Sequence, residues 1–201
     1  MSRIKICGLS RIEDITAVNL ILPDYIGFVF AQSRRRVDIE TAAMLKEKLN
    51  PQINAVGVFV NENISTISEI VNSGIIDLIQ LHGDEDALYI KQLKDICGCS
   101  VIKSVSVGDT LPALPDKADY ILFDTISEQR GGGGRAFNWQ ILRECPTVPY
   151  FLAGGLSPEN VTDAIHLLSP FCVDVSSGVE TDGLKDSEKI NKFVKMVRRI
   201  R

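Results

Sequence analysis

Long apolar runs, an export signal and an excess of positive charge are all missing from this 201-residue chain. Its longest apolar stretches fall well short of the roughly 20 residues that span a bilayer. The start, Met1-Ser2-Arg3-Ile4-Lys5-Ile6-Cys7, has charge but no apolar h-region with a small-residue cleavage site. No membrane segment and no exported precursor are expected. Lysine and arginine number 22 against 26 acids, so the net charge of -4 offers no general attraction for nucleic acid or an anionic membrane. A small anion held by local groups is still allowed. The five cysteines, Cys7, Cys97, Cys99, Cys145 and Cys172, cannot all pair and match no disulfide framework, which fits a reducing cytoplasm. Cys97-Gly98-Cys99 has no further Cys or His at zinc-ligand spacing, so no metal is expected. A G-x-G-x-x-G after the first apolar run is lacking too, and with it the sign of a dinucleotide cofactor.

What is present is ordinary globular composition, 45% hydrophobic and 24% charged residues. A chain of this length buries about 70% of its unfolded surface in one core. With no linker or low-complexity segment to divide it, a single domain over 1–201 is expected. Eight short apolar runs recur: Ile4 to Cys7, Tyr25 to Phe30, Ala55 to Val60, Leu78 to Leu81, Val101 to Val105, Tyr120 to Phe123, Tyr150 to Ala153 and Cys172 to Val175. Between them, Thr41 to Leu49, Ile64 to Asn72, Asp86 to Ile96 and Pro158 to Leu168 repeat apolar residues at three and four positions, as helices do. Strands alternating with helices imply right-handed crossovers and a parallel sheet. Eight units in 201 residues predict an α/β fold, a compact single-domain (β/α)8 TIM barrel. Pro112 and Pro115 predict a short or missing helix after the fifth strand, and Gly131 to Gly134 read as a loop after the sixth.

A barrel of this kind places its chemistry at the C-terminal ends of the strands. The two-residue period then sorts inward from outward positions. Lys5 and Cys7 on the first strand, Gln80 and His82 on the fourth, Leu122 and Asp124 on the sixth, and Asp174 and Ser176 on the eighth should face the axis. Lys5 and Asp174 are expected to pair, because an unpaired buried charge is costly. Lys103 is expected inward beside Asp124, where its ammonium would oppose an acid role.

Cys7 and Asp124 are a thiol and a carboxyl at the mouth. A thiol of pKa about 8.5 becomes a base where positive charge or N–H groups lower that value, and a carboxyl of about 3.9 becomes an acid where burial raises it. Environments driving the two apart would make an acid/base pair. A strand cysteine that is simply a small buried residue is the other reading. Gly154-Gly155 before Ser157-Pro158, and Ser176-Ser177-Gly178 after the eighth strand, are paired loops of the sort that seat a phosphate, with Ser157 a helix cap and Pro158 the first helical residue. Among Arg34, Arg35 and Arg36, one guanidinium would suit a substrate carboxylate, and spacing does not say which. His82 is either catalytic or a lining residue, and His166 packs or faces solvent.

Together these motifs resemble the phosphoribosylanthranilate isomerases, barrel enzymes of tryptophan biosynthesis. The resemblance rests on Lys5-Ile6-Cys7-Gly8-Leu9, Gly27-Phe28-Val29-Phe30, Val56 to Asn61, Gln80-Leu81-His82-Gly83, Leu122-Phe123-Asp124-Thr125, Ala153-Gly154-Gly155-Leu156 with Pro158 to Val161, and Asp174 to Glu180, in family order over nearly the whole chain. It implies an Amadori rearrangement of N-(5'-phosphoribosyl)anthranilate without cofactor or metal. It further implies that Asp124 is the general acid, that Cys7 is the base and that Arg36 holds the anthranilate carboxylate. The backbones of Gly154, Gly155, Ser177 and Gly178 would hold the phosphate, and His82 and Gly134 are candidates to line the site. The partner would be a small phosphorylated substrate, not nucleic acid or membrane, and the oligomeric state is left open. Glycine at 133 and Gln32 in place of a common proline depart from the family pattern. The competing functions are another phosphosugar barrel, an epimerase or lyase with metal ligands or a lysine and glutamate pair at its strand ends, and a phosphate-binding barrel without catalysis.

Overall fold

The computed structural model describes residues 1–125, 137–144 and 148–200. Eight parallel strands close on themselves: β1 (Arg3–Cys7), β2 (Tyr25–Val29), β3 (Asn54–Phe59), β4 (Leu78–Leu81), β5 (Val101–Val107), β6 (Tyr120–Thr125), β7 (Tyr150–Leu152) and β8 (Cys172–Val175). Pairing of β1 with β8, Lys5 opposite Asp174, completes the ring. The eight expected strands are all there.

Helices α1 (Ile12–Ile21), α2 (Ile39–Lys48), α3 (Ile64–Asn72), α4 (Ala87–Cys97), α5 (Val161–Leu168) and α6 (Ser187–Arg199) surround it. Side-chain caps explain where several begin. Asp38, Asp86 and Asp186 accept the N–H groups of Thr41, Tyr89 and Glu188 at the starts of α2, α4 and α6. Gly98, at φ 65, ends α4 in the left-handed conformation that glycine adopts without strain. Helices α1 and α6 add to those read from the sequence. Helix α1 exposes Ile12 and Leu20, so its apolar residues are not confined to one face. The proline-bearing stretch between β5 and β6 forms no helix, as expected.

Helix α5 starts at Val161, not at Pro158. A turn intervenes because Asn160 folds back: its side chain accepts the N–H of Ser157 at 2.8 Å and donates to the carbonyl of Gly155 at 2.9 Å. That clamp fixes the loop after β7.

The barrel interior is layered. Tyr25, Val56, Leu78, Ile102, Leu122, Phe151 and Cys172 form an apolar plug at the N-terminal end. Above it lies a charged layer of Lys5, Gln80 and Asp174, and above that the mouth. Ile102 belongs to the plug, which sets the parity of β5 and corrects one expectation: Lys103 faces outward, at the register of Leu81 and Ile121. Its ammonium pairs with Glu85 at 2.8 Å and donates to the carbonyl of Gly83 at 2.6 Å. It does not sit beside Asp124.

Past β8, a 3₁₀ turn (Ser177–Val179) leads into a two-stranded hairpin, β9 (Glu180–Thr181) and β10 (Leu184–Lys185). Asp182 and Gly183, both at positive φ, make the tight turn. The hairpin brings Lys185 back under the loop that follows β8.

Candidate active site

A cavity of about 330 Å³ opens at the C-terminal end of the barrel. Cys7, His82 and Asp124 all line it, as the strand parity required, and so do Gln80 and Asp174 from the layer beneath. Lys5 is fully buried under it and donates to Asp174 at 2.7 Å and to Gln80 at 2.8 Å. Burial opposes the charge on Lys5, but Asp174 and Cys7 more than offset that and raise its pKa.

Asp124 has the environment of an acid. Burial pushes its carboxyl up to about 6, against a hydrogen bond from the Thr125 N–H, and Asp174 pushes it further in the same direction as burial. Thr125 donates to Oδ1 at 2.8 Å, and His82 Nε2 lies 3.5 Å from Oδ2. Cys7 behaves otherwise. Burial pushes its thiol up as well, while Lys5 and Lys185 pull it down and Asp174 opposes them. The lowered thiol pKa expected of a base is therefore not present, although two ammonium groups act toward it.

The two glycine loops follow β7 and β8 and meet on the arc of the mouth between Asp124 on β6 and Cys7 on β1. Gly154 and Gly155, at φ 81 and 65, line the cavity together with Ser177. A Cβ on Gly154 would collide with the Thr125 hydroxyl, and one on Gly178 with the carbonyl of Leu156. Only glycine lets these loops pack so closely. Among the described residues nothing accepts the N–H groups of Gly154, Gly155, Ser177 or Gly178. Gly134 lies outside the described residues.

The three arginines divide. Arg34 and Arg35 both bind Glu180, the latter through two bonds at 2.7 and 3.0 Å. Arg35 lines the cavity, but its guanidinium is committed to that carboxylate. Arg36 is exposed, is not among the residues that line the cavity, and reaches the amide oxygen of its lining neighbour Gln32 at 3.4 Å, a neutral partner. Lys185 was not legible as a site residue. It lies buried near Cys7, donating to Glu180 at 2.6 Å and to the carbonyl of Ser176 at 3.0 Å. The Ser176 hydroxyl in turn donates to the Cys7 carbonyl at 3.0 Å. The strand period stops at β8, so nothing in it announces a lysine returned by a hairpin.

This geometry agrees with what the chain is similar to. Residues 4–196 match the family model of N-(5'-phosphoribosyl)anthranilate (PRA) isomerase. The chain belongs to that family. It is an isomerase of tryptophan biosynthesis. The N-(5'-phosphoribosyl)anthranilate isomerase of Endomicrobium trichonymphae is 48% identical over 199 residues, 98% of this chain and 99% of that one. The crystal structure of phosphoribosyl anthranilate isomerase from Thermotoga maritima superposes with a TM-score of 0.86 at 34% identity, all of both chains covered. A phosphoribosyl anthranilate isomerase in complex with reduced 1-(o-carboxyphenylamino)-1-deoxyribulose 5-phosphate matches over the whole of both chains at 32% identity and TM-score 0.84. Among the described residues no helix is long and apolar enough to cross a membrane, and no group of three His, Cys, Asp or Glu is gathered to hold a metal ion.

Proposed function

We propose that this single-domain barrel, residues 1–201, rearranges N-(5'-phosphoribosyl)anthranilate to 1-(2-carboxyphenylamino)-1-deoxyribulose 5-phosphate, with Asp124 as acid and Cys7 as base. Asp124 gives its proton to the furanose ring oxygen as the C1'–O bond breaks, and the anthranilate nitrogen lone pair closes to an iminium. The thiolate of Cys7 then takes the C2' proton. Its C–H electrons form the C1'–C2' double bond of an enolamine, which tautomerises to the ketone. C1' is reduced and C2' oxidised by proton movement alone, so the reaction needs no cofactor.

The observation that carries this reading is that a carboxyl raised to about 6 and a thiol flanked by Lys5 and Lys185 line one cavity, with the unengaged backbone N–H groups of the two glycine loops on the arc between them. Such groups suit a phosphate. Of the three arginines, Arg36 is the one that makes no salt bridge among the described residues, with Asp38 only a longer-range neighbour, which supports it as the holder of the anthranilate carboxylate by two parallel hydrogen bonds. The raised thiol pKa is compatible with this role because the iminium acidifies the C2' proton and leaves less for a weakly populated base to do. A phosphorylated substrate and unpaired cysteines support a cytoplasmic location.

Turnover of the purified protein on N-(5'-phosphoribosyl)anthranilate, with the ribulose phosphate product identified by mass and retention, tests the reading. Substrate held without turnover would leave a phosphate-binding barrel instead.

A further inference from the structure

The groups beneath the mouth form one directed chain of hydrogen bonds. Lys5 Nζ is an ammonium and only donates, so the Gln80 atom 2.8 Å away must be its carbonyl oxygen. This fixes the amide. Its NH₂ group is then the one facing His82, with Nε2 3.1 Å from His82 Nδ1. An amide NH₂ also only donates, so Nδ1 must accept. A neutral imidazole with Nδ1 accepting carries its proton on Nε2. That nitrogen is the one 3.5 Å from Asp124 Oδ2.

The consequence concerns the acid. Asp124 Oδ1 already accepts from the Thr125 N–H at 2.8 Å, so the carboxyl proton belongs on Oδ2. With a bare Nε2, His82 would accept that proton and hold it away from the cavity. With Nε2–H it presents another donor, and the Oδ2 proton turns toward the open space where substrate sits. We infer that Gln80, oriented by Lys5, locks His82 in the Nε2–H tautomer and so leaves the Asp124 proton to the substrate. Gln80 and His82 are positioning residues in this scheme, which rests on the acid role proposed above for Asp124. After the transfer, the same Nε2–H faces the new carboxylate and stabilises it.

The tautomer is read directly by ¹⁵N NMR on protein carrying ring-labelled histidine. There are two histidines, His82 and His166, and His166→Gln assigns the signals. A protonated Nε2 and a bare Nδ1 in neutral His82 are expected, and a proton on Nδ1 overturns the inference without any active-site variant. The Gln80→Glu variant keeps the shape but presents a carboxylate, which accepts from both Lys5 and His82. It should invert the tautomer and lower kcat about tenfold or more, with KM changed less than about twofold. An unchanged tautomer in Gln80→Glu, or an inverted one with wild-type kcat, also overturns it. Retained turnover in Asp124→Asn would instead remove the acid role and leave the tautomer standing, so the two failures are distinguishable.

Discussion

Gly27 on β2 stands directly against Cys7 on β1: a Cβ built at position 27 would lie 2.6 Å from the Cys7 sulfur and 3.2 Å from its Cα. The two residues pair in register at the C-terminal ends of their strands. The absent side chain is what lets the thiol occupy the barrel axis.

Gly27→Ala should therefore displace the thiol while leaving the barrel folded. The backbone there needs no positive φ, so crowding is the only effect. The expected result is a kcat reduced by about tenfold or more, since misplacing a reacting group by 1 Å can cost ~10² in rate. Steady-state kinetics and circular dichroism together check it. Unchanged kcat would show that the sulfur position is not critical.

Cys7→Ala and Asp124→Asn should each lose about 10² to 10⁴ in kcat and hold the substrate nearly as well, because each removes a proton-transfer group and not a binding contact. Single-turnover assays beside equilibrium binding separate the two effects.

Asp124→Asn should also stabilise the protein. The carboxyl has an ordinary value of 3.8 and a folded value of about 6. The folded state thus binds the proton more tightly, and Asp124 is most favourable below about 3.8 and becomes increasingly unfavourable as pH rises through 6. By linkage the wild type gives up as much as about 3 kcal/mol above that range. Asparagine keeps the acceptor for Thr125 and carries no charge. Its Tm should exceed that of wild type at pH 8 and match it near pH 4, and an equal Tm at both would rule out a raised folded pKa.

The dependence of kcat/KM on pH follows from the same two groups. Asp124 must be protonated and Cys7 deprotonated; the carboxyl sits at about 6, and burial pushes the thiol up from its ordinary value. Below about 6 the acid is already protonated, and each step down in pH only removes thiolate, so the rate falls. Between the two values, loss of the protonated acid and gain of thiolate cancel, giving a plateau. Above the thiol value only loss of the acid remains. The pair titrates as a unit, so the limbs report macroscopic values. A profile with its acid limb well below pH 5 would place the acid elsewhere.

Glu180→Gln should unfold the protein at markedly lower temperature. Glu180 and Lys185 have side chains only 5% and 2% exposed, and the substitution leaves the ammonium buried without its counter-charge. Breaking such a pair typically costs 3–5 kcal/mol. Arg35 loses the same partner. A Tm within a degree or two of wild type would show that the cluster contributes little.

The fold was legible because a barrel repeats one short rule. Eight apolar runs at regular spacing give strands, and period two places Lys5, Cys7, Gln80, Asp124 and Asp174 on the axis, where the structure has them. The rule erred at Lys103. The phase of β5 is set by Ile102 entering the apolar plug, and that is a packing outcome to which a strand with several small polar residues gives no clue.

The site was legible only in part, for the same reason. Residue type and parity named the thiol, the carboxyl and the glycine loops. Which arginines are committed to Glu180, how a hairpin returns Lys185 to the neighbourhood of Cys7, and how Asn160 delays α5 all depend on turns, where no period relates sequence position to direction.

Sequence alone determined the number of strands, the faces they present and the chemical groups on offer at the mouth, since alternation along an extended chain is local geometry. Tertiary structure decided the protonation tendencies and the pairings. Burial, the nearness of Asp174 to Asp124 and the reach of Lys5 to Gln80 involve residues 50 or more positions apart. Electrostatic energies depend on distance in space, and the closed ring is what makes those distances short.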